Sequence, residues 1–370
     1  MKEMKIQMVD THNQYLKIKN EIDKSVLGVI DSSQFIQGPA VKEFERNVES
    51  YLGCKHAIGC ASGTDALQIA MMALGIKPGD EIITTPFTFV ATVETIALLG
   101  AIPVYADINE NTYNIDSALI EEKITQRTKA IMPVHLYGQA CDMDKIMAIA
   151  KKHNLYVIED AAQAMGADYK DRKLCTIGHI GCVSFYPSKN LGAFGDAGML
   201  TTNEDDLADK IRMITSHGSR KKYYHEVLGV NSRLDSIQAA ILNVKLKYLD
   251  EYCDARIMAA KKYNENLKNI YQNPYEIPGS KHIYHQYSIR VKNRDKLQGY
   301  LAEKGIPSMI YYPVPLHLQQ AYKYNNKPGD YPISEKIAGE IISLPIHTEL
   351  NEEQIDFICE KISEFNNNNG

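Results

Sequence analysis

The sequence predicts an α/β protein. A large domain, residues 1–245, holds a mainly parallel sheet between helices, and a smaller α+β C-terminal domain, residues 246–370, follows. Two observations predict it. Between about residues 56 and 215, short apolar runs alternate with helical patterns, and these runs show no apolar–polar alternation, as expected of strands covered on both faces. After about residue 240 the pattern shifts to long helical periods around one alternating strand. The leading residues 1–30 are expected to pack on the small domain.

In chain order, Ser62-Gly63-Thr64 opens a helix that runs through Asp65–Leu74. Glu81–Thr85 reads as a strand, Val90–Leu99 as a helix, Ile102–Asp107 and Ala130–Tyr137 as strands, Met143–His153 as a helix and Leu155–Glu159 as a strand. In such sheets a ligand sits beyond the carboxyl ends of the strands, and Asp160 and Gln163 stand at one of those ends. Ile241–Leu267 reads as one long amphipathic helix linking two lobes. His285–Val291 alternates like a half-buried strand, Arg294–Lys304 and Glu352–Phe365 read as helices, and Asn366–Asn369 as a frayed tail.

Composition narrows the classes. A net charge of −5 offers nucleic acid or an anionic membrane no electrostatic footing. The seven cysteines are odd in number and lack metal-ligand spacing, which points to reduced thiols in a cytoplasmic protein with no metal site. Cys60 and Cys182 lie in apolar runs and are expected in the core. Met1–Lys5 has no apolar stretch behind it, so no signal peptide is expected, and no run of about 18 apolar residues suggests a membrane span.

The chemistry concentrates on two residues. Asp160 ends the run Val157-Ile158-Glu159, and Lys189 follows 29 residues later in Val183-Ser184-Phe185-Tyr186-Pro187-Ser188. A lysine in an apolar, glycine-bounded setting loses solvation of its charge, which frees the amine as a nucleophile. An enzyme holding pyridoxal 5′-phosphate needs such an amine to condense with the aldehyde, and a carboxylate to keep the pyridine nitrogen protonated. Taken alone, Asp160 also suits a helix N-cap. Ser62, Gly63 and Thr64 at a helix start form an anion seat suited to a phosphate. Gly192, Gly195 and Gly198 do not fit a dinucleotide fingerprint.

Six segments together resemble the DegT/DnrJ/EryC1/StrS family of pyridoxal-phosphate-dependent nucleotide-sugar aminotransferases, within fold type I. They are Gln37-Gly38-Pro39, Ala61–Leu67, Thr88–Thr92, Glu159–Gln163, Ser184–Lys189 and Asn231–Asp235, and the resemblance runs from about Phe35 to about Pro345. It implies that Lys189 is anchor and acid/base, and that Asp160 partners the pyridinium. By the same resemblance Gln163 bonds the phenolic oxygen, Phe89 stacks on the ring, and Ser184 joins Ser62–Thr64 at the phosphate. Asn231 would reach that phosphate from the second subunit of a homodimer. Arg233 would hold an anionic part of the substrate and Tyr311 the hexose. Many relatives carry histidine in place of Gln163 and of Tyr311; glutamine cannot shuttle a proton, and tyrosine gives up a charge. The segment His217–His225 mixes cations with tyrosines, which suits a nucleotide diphosphate and equally a solvated loop.

The implied reaction moves an amino group from L-glutamate, leaving 2-oxoglutarate, to C3 of a UDP- or dTDP-linked keto-hexose. The product would serve amino-sugar biosynthesis for a surface polysaccharide or glycolipid. Rival readings are transamination at C4, a keto-inositol aminotransferase, and a regulator that keeps the fold without turnover. A dehydratase of this family would replace Lys189 with histidine.

Overall fold

The computed structural model describes residues 5–369; Met1–Met4, most of the segment judged above for a signal peptide, and Gly370 lie outside them. The apolar runs become β1 (His56–Cys60), β2 (Glu81–Thr84), β3 (Ile102–Tyr105), β4 (Thr128–Ile131) and β5 (Tyr156–Asp160). After the short β6 (Asp168–Tyr169) and β7 (Arg172–Lys173) come β8 (Ile180–Ser184) and β9 (Gly198–Thr202). Seven of these form the central sheet in the order β1-β9-β8-β5-β4-β2-β3. Only β9 runs antiparallel to its neighbours, between β1 and β8.

Both faces of this sheet are covered, which explains why its strands lack alternation. Successive residues serve opposite layers. Ile58, Ile82, Ile158 and Leu200 pack under α4 (Gly63–Ala73), α5 (Ala91–Leu98) and α7 (Asp205–Ile214), through Leu67, Ile69, Ile96 and Ile211. Their neighbours Ala57, Ile83, Val157 and Met199 face α3 (Pro39–Leu52), α6 (Met143–His153) and α8 (Ser236–Leu246), through Phe44, Val48, Ile146 and Leu242. The seven cysteines are buried in these interiors or in the C-terminal one, and burial pushes their thiols up, Cys54 and Cys253 to about 11.

The C-terminal unit builds on α9 (Leu249–Leu267), the short β10 (Ser280–Lys281), β11 (Tyr287–Arg290), α10 (Arg294–Glu303), α11 (Pro332–Glu340), β12 (Ile341–Leu344) and α12 (Glu352–Asn369). The antiparallel pair β11–β12 carries Ile289, Ile342 and Leu344 into a core with Tyr263, Leu297 and Ile358. Two helices precede everything, α1 (Thr11–Lys17) and α2 (Lys19–Ser32). Ile6 enters the C-terminal core, and Lys17 pairs with Glu349 at 2.7 Å. Ile22 of α2 instead packs on Ile241 and Val244 of α8.

Four sequence expectations are corrected. The single helix over 241–267 is two, because the chain tightens at Lys247 and Tyr248 into i→i+3 bonds and α9 starts afresh at Leu249. The strand expected over 130–137 ends at Ile131. Pro133 has no N–H to donate, and only Val134 bridges onward, to Asp160. β11 is buried on both faces: Ser288 is 2% exposed, and its hydroxyl pairs with that of Ser343 at 2.7 Å. The asparagine-rich end continues α12 rather than fraying. Among the described residues, no helix is long and apolar enough to cross a membrane.

Candidate active site

A cavity of about 520 Å³ opens beyond the carboxyl ends of β5 and β8, where the C-terminal unit meets the sheet. Asp160 ends β5 inside it, 5% exposed. Its main chain is pinned on both sides: its N–H donates to Pro133 O at 2.9 Å and its carbonyl accepts from His135 N–H at 3.0 Å. Oδ2 accepts from the Thr92 hydroxyl at 2.8 Å and Oδ1 from Ala162 N–H at 3.2 Å. Since Thr92 spends its proton there, Thr88 donates to Thr92 across 3.1 Å. Burial pushes the Asp160 carboxyl above its usual range, against these donors and the nearby Lys189 cation.

Lys189 lines the same cavity. Burial pushes its amine down to about 8, with Asp160 pulling the other way. A lysine so placed is largely free of its extra proton at mildly alkaline pH, as a nucleophile and base requires. His285 lies alongside, bonded through Nδ1 to Asn190 Oδ1 at 3.2 Å. Burial first, then the cations of Lys189 and Arg256, hold its pKa well below the ordinary value, so it is a neutral member of the wall.

The anion seat forms at the start of α4. Ser62 caps that helix, accepting from Asp65 N–H at 3.1 Å, while Gly63 and Thr64 expose the first turn to the cavity. Close approach of neighbouring segments favours glycine at two positions here. A Cβ on Gly63 would stand 2.5 Å from that of Ser184, and one on Gly198 only 2.3 Å from the Ser62 carbonyl. Ser184 thereby abuts the helix terminus and shares its wall of the cavity.

Gln163 is oriented from two directions. Its Oε1 accepts from Tyr137 N–H at 2.7 Å and its Nε2 donates to the Tyr312 hydroxyl at 3.1 Å. Phe89 is 54% exposed, a cavity-wall ring rather than a core one, with its centroid 6.2 Å from that of Tyr312. Tyr311 lines the cavity beside Tyr312, and its carbonyl accepts from the Tyr137 hydroxyl. These residues fit pyridoxal phosphate: an anion seat, a carboxylate with spare acceptor capacity, a free amine and an aromatic wall line one space.

Asn231 and Arg233 are not in this chain's cavity. Ser232 between them points inward, bonded to Asp65 Oδ2 at 2.5 Å and to Ala61 N–H at 3.0 Å. In an extended segment its neighbours then face outward. Asn231 is exposed, and Arg233 is half-buried with no side-chain partner among the described residues. The segment His217–His225 is largely exposed too, with Lys221 over the Tyr224 ring at 4.8 Å and Lys222 over Tyr223 at 5.1 Å. Sequence reasoning missed Thr92, His285 and Tyr312. Only Thr92 left a trace, as the last residue of the Thr88–Thr92 segment that carries part of the family resemblance.

Residues 16–363 match the model of the DegT/DnrJ/EryC1/StrS aminotransferase family. The chain belongs to this family. This DegT-family aminotransferase has fold type I, and the family's cofactor is pyridoxal phosphate. It is 50% identical to a pleiotropic regulatory protein of Geobacillus stearothermophilus, over 98% of this chain and 99% of that one. It is 46% identical to the UDP-2-acetamido-2-deoxy-3-oxo-D-glucuronate aminotransferase of Pseudomonas aeruginosa, over 96% and 98%. The crystal structure of DesV from S. venezuelae in complex with a ketimine intermediate superposes with a TM-score of 0.95 at 38% identity, covering 98% of each chain.

Proposed function

We propose that this aminotransferase carries an amino group from L-glutamate to C3 of a nucleotide-linked keto-hexose, for an amino sugar of a surface polysaccharide or glycolipid. The observation that carries this reading is the Lys189 amine, pushed down to about 8, in one cavity with the buried Asp160 carboxylate. The Pseudomonas relative, which by its name acts on a UDP-linked 3-oxo sugar, supports C3.

Pyridoxal phosphate, when bound, supplies an aldehyde carbon for the amine and a ring that accepts the electrons left by the departing α-proton. Ser62, Gly63, Thr64 and Ser184 would hold its phosphate, Phe89 would cover the ring and Gln163 would donate to its phenolic oxygen. Asp160 would keep a proton on its pyridine nitrogen. Lys189 takes the proton from the α-carbon of glutamate, and in the second half-reaction delivers one to C3 of the sugar. Asn231 and Arg233 face away from their own cavity. We assign them to the cavity of a second copy, where Asn231 bonds phosphate and Arg233 forks onto an anionic part of the nucleotide sugar. Tyr311 contacts the hexose.

The test is mass spectrometry of products from a panel of UDP- and dTDP-linked keto sugars with glutamate. A 3-amino sugar appearing with 2-oxoglutarate is the expected result. A 4-amino sugar, an aminated keto-inositol from a parallel panel, or no product would overturn it. The last outcome would favour the second reading, a regulator, which the name of the Geobacillus relative suggests.

A further inference from the structure

We infer that the Tyr312 hydroxyl is a hydrogen-bond donor to an acceptor oxygen of the molecule that fills the cavity, and that it forms with the Gln163 amide a two-donor recess for that oxygen. The argument starts from the amide. Tyr137 N–H reaches Gln163 at 2.7 Å, and a backbone N–H bonds only an acceptor, so that atom is Oε1 and Nε2 turns the other way. One Nε2 hydrogen goes to the Tyr312 oxygen at 3.1 Å. The tyrosine oxygen is therefore an acceptor in that bond, and its own proton must go elsewhere. Among the described residues no side chain or carbonyl takes it. Both Gln163 and Tyr312 line the cavity, so the two unspent hydrogens, one on each, are open to it.

The donor is held in place and held protonated. The Tyr312 ring stands edge-on to Phe87 at 6.3 Å, and Leu316 N–H anchors the following segment to Pro86 O at 2.8 Å. Burial pushes the phenol well above its ordinary pKa, so it keeps its proton across the neutral range. Water satisfies that proton in an open cavity. Once a ligand displaces the water, only a ligand oxygen can, or a donor is left unpaired at a loss of about tenfold or more in binding.

If the acceptor belongs to the cofactor it is the phenolic oxygen already given to Gln163, and if it belongs to the sugar that assignment moves with it; Tyr312→Phe, which deletes one atom, separates the two. Three quantities are compared with wild type: the dissociation constant and visible spectrum of pyridoxal phosphate added to apoprotein, the rate of the glutamate half-reaction, and kcat/KM for the keto sugar. A loss of about tenfold or more in cofactor affinity, with a shifted band, assigns the cofactor's oxygen. A similar loss confined to the sugar's kcat/KM assigns the sugar's. All three quantities within twofold of wild type, whatever happens to the thermal midpoint, would overturn the inference. The sugar measurement rests on the proposed function, whereas the cofactor measurement uses no sugar, so the two readings fail separately.

Discussion

Glu159 and Asp160 are adjacent on one strand, both carboxylates and both buried, yet the protein drives them in opposite directions. Glu159 faces away from the cavity. It accepts from His135 Nε2–H at 3.0 Å and Cys175 N–H at 3.1 Å on one oxygen, and from Ile177 and Gly178 N–H, each at 2.7 Å, on the other. His135 Nδ1 accepts from Cys141 N–H at 3.1 Å, which leaves Nε2–H to donate to Glu159. Burial works against the Glu159 charge, but these donors outweigh it and hold the carboxyl below its usual range. Asp160 has two donors, and burial wins there. The lesson is that a saturated carboxylate is a structural joint, whereas an under-supplied one is left to pair with a cation, which in the function proposed above is a protonated ring nitrogen.

The comparison can be broken most sharply at Asp160. Asp160→Asn should lower turnover by about 100-fold or more, because a neutral amide cannot hold a charge on the pyridine nitrogen. Its fold should survive, since the Thr92 hydroxyl can rotate to accept from the new amide. Steady-state rates beside a melting curve check both halves; near wild-type turnover would mean that the cation partner lies elsewhere.

Glu159→Gln should do the reverse, costing stability before chemistry. Whichever way its amide turns, the nitrogen meets two donors, at His135 and Cys175 or at Ile177 and Gly178. Unpaired buried donors of this kind put the loss at about 3 kcal/mol. Denaturant unfolding of the apoprotein measures it, and a loss within experimental error would show that the four donors are not what keeps Glu159 charged.

A third effect, spread over a range of pH rather than seen at a single one, is on pH dependence. The Lys189 amine holds its proton to 10.5 in the unfolded chain and only to about 8 in the fold. Between these values the unfolded chain binds more protons, so stability rises with pH across that window. Lys245, also pushed down to about 8 by burial, adds a rise of the same sign. The Lys189 share is therefore the difference between wild type and Lys189→Met, with the wild type gaining as pH climbs from 8 towards 10.5. Parallel melting curves of the two apoproteins would show that the amine is solvated.

The residues legible in the sequence were those whose neighbours along the chain already state their surroundings. Lys189 sits among Ser184, Phe185 and Pro187, Asp160 closes an apolar strand, and Ser62-Gly63-Thr64 starts a helix. Tyr312 and His285 were not legible as site residues, because what qualifies them is contact with segments far away in sequence, Gln163 for one and Asn190 for the other. The split of the 241–267 helix was hidden for a related reason. Helical periodicity continues across Lys247 and Tyr248, and the break shows only in the backbone, where those two residues take i→i+3 bonds.

All seven cysteines lie inside, and their thiols are pushed towards the protonated form. Since the thiolate is the reactive species, the folded protein should be almost inert to maleimides and to mild oxidants. A single cysteine introduced on the exposed segment His217–His225 would then be the one fast-reacting handle on the chain. A fluorophore attached there could report on that segment as substrate arrives, with no need to strip the native sulfurs first.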